Sequence, residues 1–469
     1  MAVSFATFND MEELFKLNDF KVGYASVNIN PPLNIGVVGY YVPRFAKGFL
    51  DDITASALAI SKNGKKIIII SVDNCGLLPE LVENISAEIE KTTGIPKSCI
   101  FLSATHTHTG PYSVDATNDE KMDATIRDYV KFLTNRICDL AALSLKTMKP
   151  ARVGYATGRA PDRISYIRRY RMKDGTTQTC PPIDDPNIDR AIGELDRRVH
   201  VLRFDREGAD SVVILNYGIH TDTIGGEYIS SDFCDWIKTT LDKALDGTKC
   251  IFLPGVQGDV GSTNVHPLPG DMNDTEISFD NEMKSPGMAR FVGRALAGTV
   301  LQVFDKVAYV DVDDIDIISE TIKVAANLPT DDEIIRAKEY KALHDAGKDC
   351  EIPFEAMELT TVVAEAYRMC SLEFGPADFE LKISAVKLGP IALVGIPGQP
   401  FTPAGVEIKD SAGWDIILPC TLTNGNAGYF PMMESYNEGG YEARTSKYKA
   451  GVAEAIVGCA KSILEKLKN

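Results

Sequence analysis

The chain contains six histidines in 469 residues, at positions 106, 108, 200, 220, 266 and 344. Two of them stand in "FLSATHTHTGPYS" (101–113), straight after an apolar run and just before Gly110 and Pro111. In extended backbone the side chains at i and i+2 share a face, so His106 and His108 address one site together. Neutral imidazole is the commonest protein ligand for zinc and also carries protons near neutral pH. The pair reads as two ligands, as a ligand beside an acid–base group, or as a hydrogen-bonded loop. His220 closes a second apolar run, "VVILNYGIH", and is followed by Thr221 and Asp222. "LPGVQGDVGSTNVHP" (253–267) is a third strand-to-loop junction, holding Asp259, Ser262 and His266. "GIPGQPFTPAG" (395–405) and "NGNAGYFP" (424–431) are two more. Five strand ends that each turn polar point to one shared cleft.

Those junctions need strands to position them. "GKKIIIISVDN" (64–74) is a short β-branched run that suits a buried strand and ends at Asp73. "PELVENISAEIEKTTG" (79–94) has helical periodicity and a glycine stop. "SCIFLSAT" (98–105) is a second buried strand, so the three elements form a βαβ unit with parallel neighbours. Residues 121–148 read as a long amphipathic helix, and 200–205 with 209–220 as paired strands. A helix over 232–245, a strand over 248–255 and a helix over 285–307 follow. Residues 329–371 read as two charged helices, a hairpin inserted beside the main sheet. Strands at 379–389, 391–398 and 414–422 and a last helix near 443–467 complete the chain. With no internal repeat and no long linker, the expected fold is α/β: mixed, largely parallel sheets flanked by helices in a single elaborated domain over 1–469.

Composition narrows the function. The net charge is −17, which disfavours nucleic acid and anionic membrane surfaces and leaves a small-molecule substrate as the expected partner. A chain this long buries a large core unaided, so a metal here is expected to be catalytic and not structural. Ten cysteines form no C-x-x-C pair. The first residues show no basic segment followed by an apolar one, and no run of about 18 apolar residues occurs. Reduced cysteines and a cytoplasmic location are the expectation.

"SATHTHTGP", "NYGIHTDT", "QGDVG", "IPGQPFTPAG" and "NAGYFP…GGYEAR" follow one another in the order seen in the neutral (non-lysosomal) ceramidase family and its shorter bacterial relatives. "GYASVNINPP…GFLDDITASALAI…IIIISVD" resembles the family's N-terminal region as well. The resemblance runs from about residue 22 to 469 and implies the ceramidase catalytic domain without the C-terminal immunoglobulin-like domain. It implies a divalent metal, zinc first, held by His106, His220 and Tyr429. The family's glutamate ligand corresponds to Gln399. His108 corresponds to a hydrogen-bonding or proton-transfer group, and Arg168 (or Arg169) to an arginine near the substrate carbonyl.

Two positions depart from that pattern. Gln399 is a neutral and poorer cation ligand than a carboxylate, so Asp222 or Asp73 is a candidate for the missing charge. Gly261 stands where the family has its nucleophilic serine, and Ser262 comes one residue late, so an activated water replaces the serine in the expected reaction. The reading is a metal-dependent hydrolase of a soluble amide, ester or lactone, with sugar-derived compounds and carbohydrate metabolism in view. His108 or Asp259 would act as acid or base, Tyr429 as ligand or oxyanion stabiliser, and Arg168 would steady negative charge. The alternatives are a metal-dependent isomerase, epimerase or lyase on a polyol, and a catalytically silent relative that only binds.

Overall fold

The structure, a computed structural model, describes residues 19–113, 120–270 and 284–468. The expectation about an N-terminal export segment falls on residues outside these. Nine strands form the larger sheet: β1 (Lys21–Asn28), β2 (Thr54–Lys62), β3 (Lys65–Val72), β4 (Ile100–Ala104), β5 (Lys149–Arg159), β6 (Arg198–Arg206), β7 (Ala209–Tyr217), β8 (Lys249–Pro254) and β9 (Ala308–Val310). Their order is β8-β7-β6-β5-β1-β2-β3-β4, with β9 also pairing β5. A second sheet holds β10 (Ile315–Ala325), β11 (Asp378–Leu388), β12 (Ile391–Gly395) and β13 (Ile416–Cys420), in that order.

The mixed sheets and flanking helices are as expected, but the pairing within them is mostly antiparallel. In the larger sheet only β3–β4 and β7–β8 are parallel; the other pairs are antiparallel. The smaller sheet has one parallel pair, β12–β13. The reason is the connections. A parallel pair needs a long crossover, usually a helix. Helix α1 (Pro79–Thr93) links β3 to β4. Two tight turns, at Asn63–Gly64 and Glu207–Gly208, join antiparallel neighbours instead.

Strand residues alternate between two cores. Ile67 and Ile69 of β3 pack toward the smaller sheet, beside Val386, Leu393 and Leu418. Ile68 and Ile70 pack on the opposite face with Ile85 and Ile89 of α1 and Leu133 of α2 (Glu120–Lys146). All four isoleucines are at most 2% exposed, and each contributes about 1.5–3 kcal/mol of burial. Helices α3 (Phe233–Ala244) and α4 (Pro286–Val303) cover the β5–β8 half of the same face. The charged hairpin is present as α5 (Asp331–Asp345), which opens with a Thr330–Glu333 capping box, and α6 (Ala356–Leu372), the two packed through Ala337, Ala366 and Met369. Helices α7 (Thr402–Lys409) and α8 (Val452–Lys468) cover the outer face of the smaller sheet. The layers therefore run helix, sheet, sheet, helix. Among the described residues no helix is long and apolar enough to cross a membrane.

Candidate active site

The three parallel pairs direct their carboxyl ends to one place, and the five polar junctions of the sequence meet there. Backbone hydrogen bonds stitch them together. The amide of His106 donates to the Asn74 carbonyl (2.8 Å), His108 to Thr221 (3.2 Å), and His220 to Val260 (3.1 Å). Gly258 donates to Pro400 (2.9 Å) and Gln399 to Gly428 (2.9 Å). Gly258 is required at its position: a Cβ there would lie 2.5 Å from the Gln399 carbonyl oxygen. His106 itself adopts φ +72°, a left-handed conformation uncommon outside glycine, so the chain bends sharply as it leaves β4.

That bend brings three imidazoles together. His106 Nε2 lies 3.0 Å from His220 Nε2 and 3.3 Å from His108 Nε2. His106 Nδ1 meets the Cys75 carbonyl, and His220 Nδ1 lies 3.3 Å from the Gln257 carbonyl. A carbonyl only accepts, so both Nδ1 atoms carry the proton and both Nε2 atoms present lone pairs. Two lone pairs facing each other at 3.0 Å repel unless a cation lies between them. Backbone carbonyls on the far nitrogen are also the usual support for ligating histidines.

Burial keeps these rings neutral. It lowers His106 to about 3, aided by His108, and holds His220 well below the ordinary imidazole value, aided by Arg168 and His106. Among the described residues Cys75, His106 and His108 offer donor atoms within 4.8 Å of one another. The Cys75 sulfur, however, lies 3.7 Å from His106 Nδ1, on the ring edge away from His108 and His220. Burial also raises its thiol to about 12.

The partners differ in kind. His108 Nδ1 lies 3.7 Å from Asp222 Oδ2, which pairs with Lys284 at 3.0 Å, while the Tyr40 hydroxyl donates to Asp222 Oδ1 (2.6 Å). Burial opposes charge on Asp222, yet His108, Lys284 and Tyr40 hold its carboxyl down to about 2. On the other side Arg168 Nη2 donates to the Tyr429 hydroxyl (3.0 Å), and its Nε pairs with the fully buried Glu442 (2.7 Å). The Tyr429 ring stacks on His220 at 6.4 Å and 15°, and burial pushes its phenol up to about 12.

The candidates from sequence separate clearly. His108, His220, Arg168 and Tyr429 line one cavity of about 460 Å³, with His106 buried against them. Arg169 points away, to Glu438 and Ser435. Gln399 is buried beside Tyr429 through the Gln399–Tyr429 strand pairing, and its Oε1 has no hydrogen-bond partner. Asp259 is not brought to the cavity: its carboxylate accepts from the Thr402 amide and hydroxyl (2.8 Å each) at the start of α7. Asp73 is likewise held elsewhere, by Thr54 and Lys238. Gly261 and Ser262 both reach the cavity wall. Tyr40, Lys284 and His344 reach it too, and no motif in the sequence marks them. Glu442 lies inside "GGYEAR", where the motif was the available signal.

No family model matches the chain, and no curated protein matches it in sequence. Solved structures do. Neutral ceramidase from Pseudomonas aeruginosa superposes with a TM-score of 0.72 at 17% identity, covering 96% of this chain and 75% of its own. The chain has the neutral ceramidase fold. A second ceramidase structure, complexed with C2, superposes with a TM-score of 0.70 at 16% identity, covering 96% and 76%. The ceramidase likeness extends over nearly the whole chain, as the order of the five motifs implies.

Proposed function

We propose that the protein is a metal-dependent hydrolase of a soluble amide, ester or lactone. The observation that carries this reading is the pair of neutral imidazoles whose Nε2 lone pairs face each other at 3.0 Å. Imidazole donors and a buried, unpartnered Gln399 oxygen fit a divalent cation, zinc first. His106 and His220 would hold it, with Tyr429 and Gln399 the further donors that the ceramidase resemblance supplies. A cation bound there supplies Lewis-acid polarisation of a carbonyl and acidification of a water.

This chain's own groups do the rest. His108, backed by Asp222, is placed to move a proton between the attacking water and the leaving group. Arg168 steadies negative charge developing on the carbonyl oxygen and orients the Tyr429 hydroxyl. Glu442 fixes Arg168 from behind. Asp259 takes no part in this scheme. The site is reached from water, and the reading keeps the enzyme cytoplasmic.

Turnover in ¹⁸O-labelled water tests the reaction class. Hydrolysis places one solvent oxygen in the acid product. Conversion of substrate at unchanged mass would mean proton abstraction beside a carbonyl, and the hydrolase reading would fall.

A further inference from the structure

The hairpin of α5 and α6 lines the same cavity as the histidines. Met357, Thr360 and Val363 recur three residues apart and so share one face of α6. With Leu359 beside them, and Val42 from the loop opposite, they give the cavity an apolar wall. Of the hairpin's three polar residues at the cavity, Thr360 carries the smallest polar group, and the other two are engaged with partners: His344 Nδ1 lies 2.7 Å from Asp349 Oδ1, and His344 Nε2 lies 3.1 Å from the Tyr41 carbonyl. The second of these ties the hairpin to the loop that carries Val42. Arg444 ties it from the other side, through Glu365 (3.0 Å) and Glu358, two residues from the Glu442 that holds Arg168. The apolar wall is thus fixed relative to the catalytic cluster on both sides.

The cavity therefore has two unlike walls. Strand ends supply imidazole and guanidinium groups and the segment entering α4 supplies the Lys284 ammonium; the hairpin supplies mostly methyl and methylene surface. At about 460 Å³ it falls in the range of sites for single small molecules. We infer that α6 is the recognition wall for a compact apolar group of the substrate, which is an amide or ester of a short aliphatic or single-ring carboxylic acid. A polyol presented to Met357 and Leu359 would find only the Thr360 hydroxyl on this wall and would leave its other hydroxyls there unpaired, at a cost that disfavours it. This inference rests on the hydrolase reading and narrows its substrate. In the reaction a water oxygen bonds to the acyl carbon and the bond from that carbon to nitrogen or oxygen breaks. The leaving group departs with a proton delivered through His108, and the acid product remains against α6.

Binding and turnover separate the two claims. Straight-chain carboxylates from acetate to dodecanoate are titrated calorimetrically into the parent and into Met357→Trp and Leu359→Ala variants, each checked for native thermal unfolding. Nitrophenyl esters of the same acids are assayed alongside. In the parent, affinity rises about three- to fourfold per methylene to a ceiling reached before dodecanoate. Met357→Trp lowers the ceiling by at least one methylene pair, and Leu359→Ala weakens the longer ligands. Length-dependent binding without ester cleavage would keep the recognition wall and remove the hydrolase reading. Ester cleavage with no dependence on chain length, or unchanged in both variants, would keep the hydrolase and overturn the wall.

Discussion

Asp73 and Asp222 look alike in position and do different work. Each follows a strand of a parallel pair, β3 or β7, each is largely buried, and each pairs with a lysine from a later segment. Asp73 is 1% exposed and sits among Thr54, Lys238 and the end of β3, away from the cavity. Asp222 lies on the cavity wall, shares its charge with Lys284 and Tyr40, and has His108 as a neighbour. The same pair of side chains ties α3 to the sheet in one place and holds a proton-carrying ring in the other. What distinguishes them is whether an imidazole and solvent-accessible space lie on the far side of the carboxylate.

Substitutions can break that comparison. Asp73→Asn leaves the half-buried Lys238, its side chain 21% exposed, without its counter-ion, and should cost about 3 kcal/mol of stability. Denaturant unfolding reads this, and the activity of the folded fraction should be unchanged. Asp222→Asn should add a loss of activity. Lys284 is 8% exposed and also meets the Tyr40 hydroxyl, so stability falls by a comparable amount, about 3 kcal/mol, while kcat/KM of the folded fraction drops about 10- to 100-fold as His108 loses the neighbouring charge. If the two variants exchange these phenotypes, the division between them is wrong.

A third buried carboxylate sharpens the structural side. Asp196 receives Arg198 Nε and Nη2 (2.9 and 3.0 Å) and Lys409 Nζ (3.1 Å) and does not line the cavity. Burial works against its charge, but these donors hold it at about 2, below the ordinary 3.8. A depressed carboxylate contributes stability above its unfolded value and loses it as pH falls through the folded one. Asp196→Asn should therefore cost about 2 kcal/mol at pH 7, a difference that shrinks between pH 4 and pH 2, with activity intact. The smallest effect is expected at Gly261. A Cβ there meets only Arg168 side-chain carbons at 3.6 Å, so Gly261→Ser should change stability by no more than about 0.5 kcal/mol, measured by thermal unfolding.

The strands around the site were legible because β3, β4, β7 and β8 are short runs of branched apolar residues, buried on both faces. Their partners were harder. The pattern of β1, "KVGYASVN", alternates incompletely, and its pairing with β5 joins residues more than a hundred positions apart. Nothing local encodes that. The largely parallel sheet was expected because one βαβ unit was visible, whereas the antiparallel centre comes from short turns and distant segments. At the site, His106 and His220 were legible because histidine is rare here and ends apolar runs. Asp259 read as catalytic for the same reason, but side-chain direction beyond a strand end is set by the packing of α7. Lys284 and the α6 face were invisible because only the tertiary fold brings them to the cavity.

The central claim is that facing imidazoles hold a cation. Metal content by mass spectrometry tests it most directly, in the parent, His106→Ala and His220→Ala proteins after reconstitution and dialysis. The account predicts close to one divalent ion per chain in the parent and a loss of most of it in both variants, with folding retained. A parent that retains no metal, or variants that retain it at the parent's level, would contradict the account.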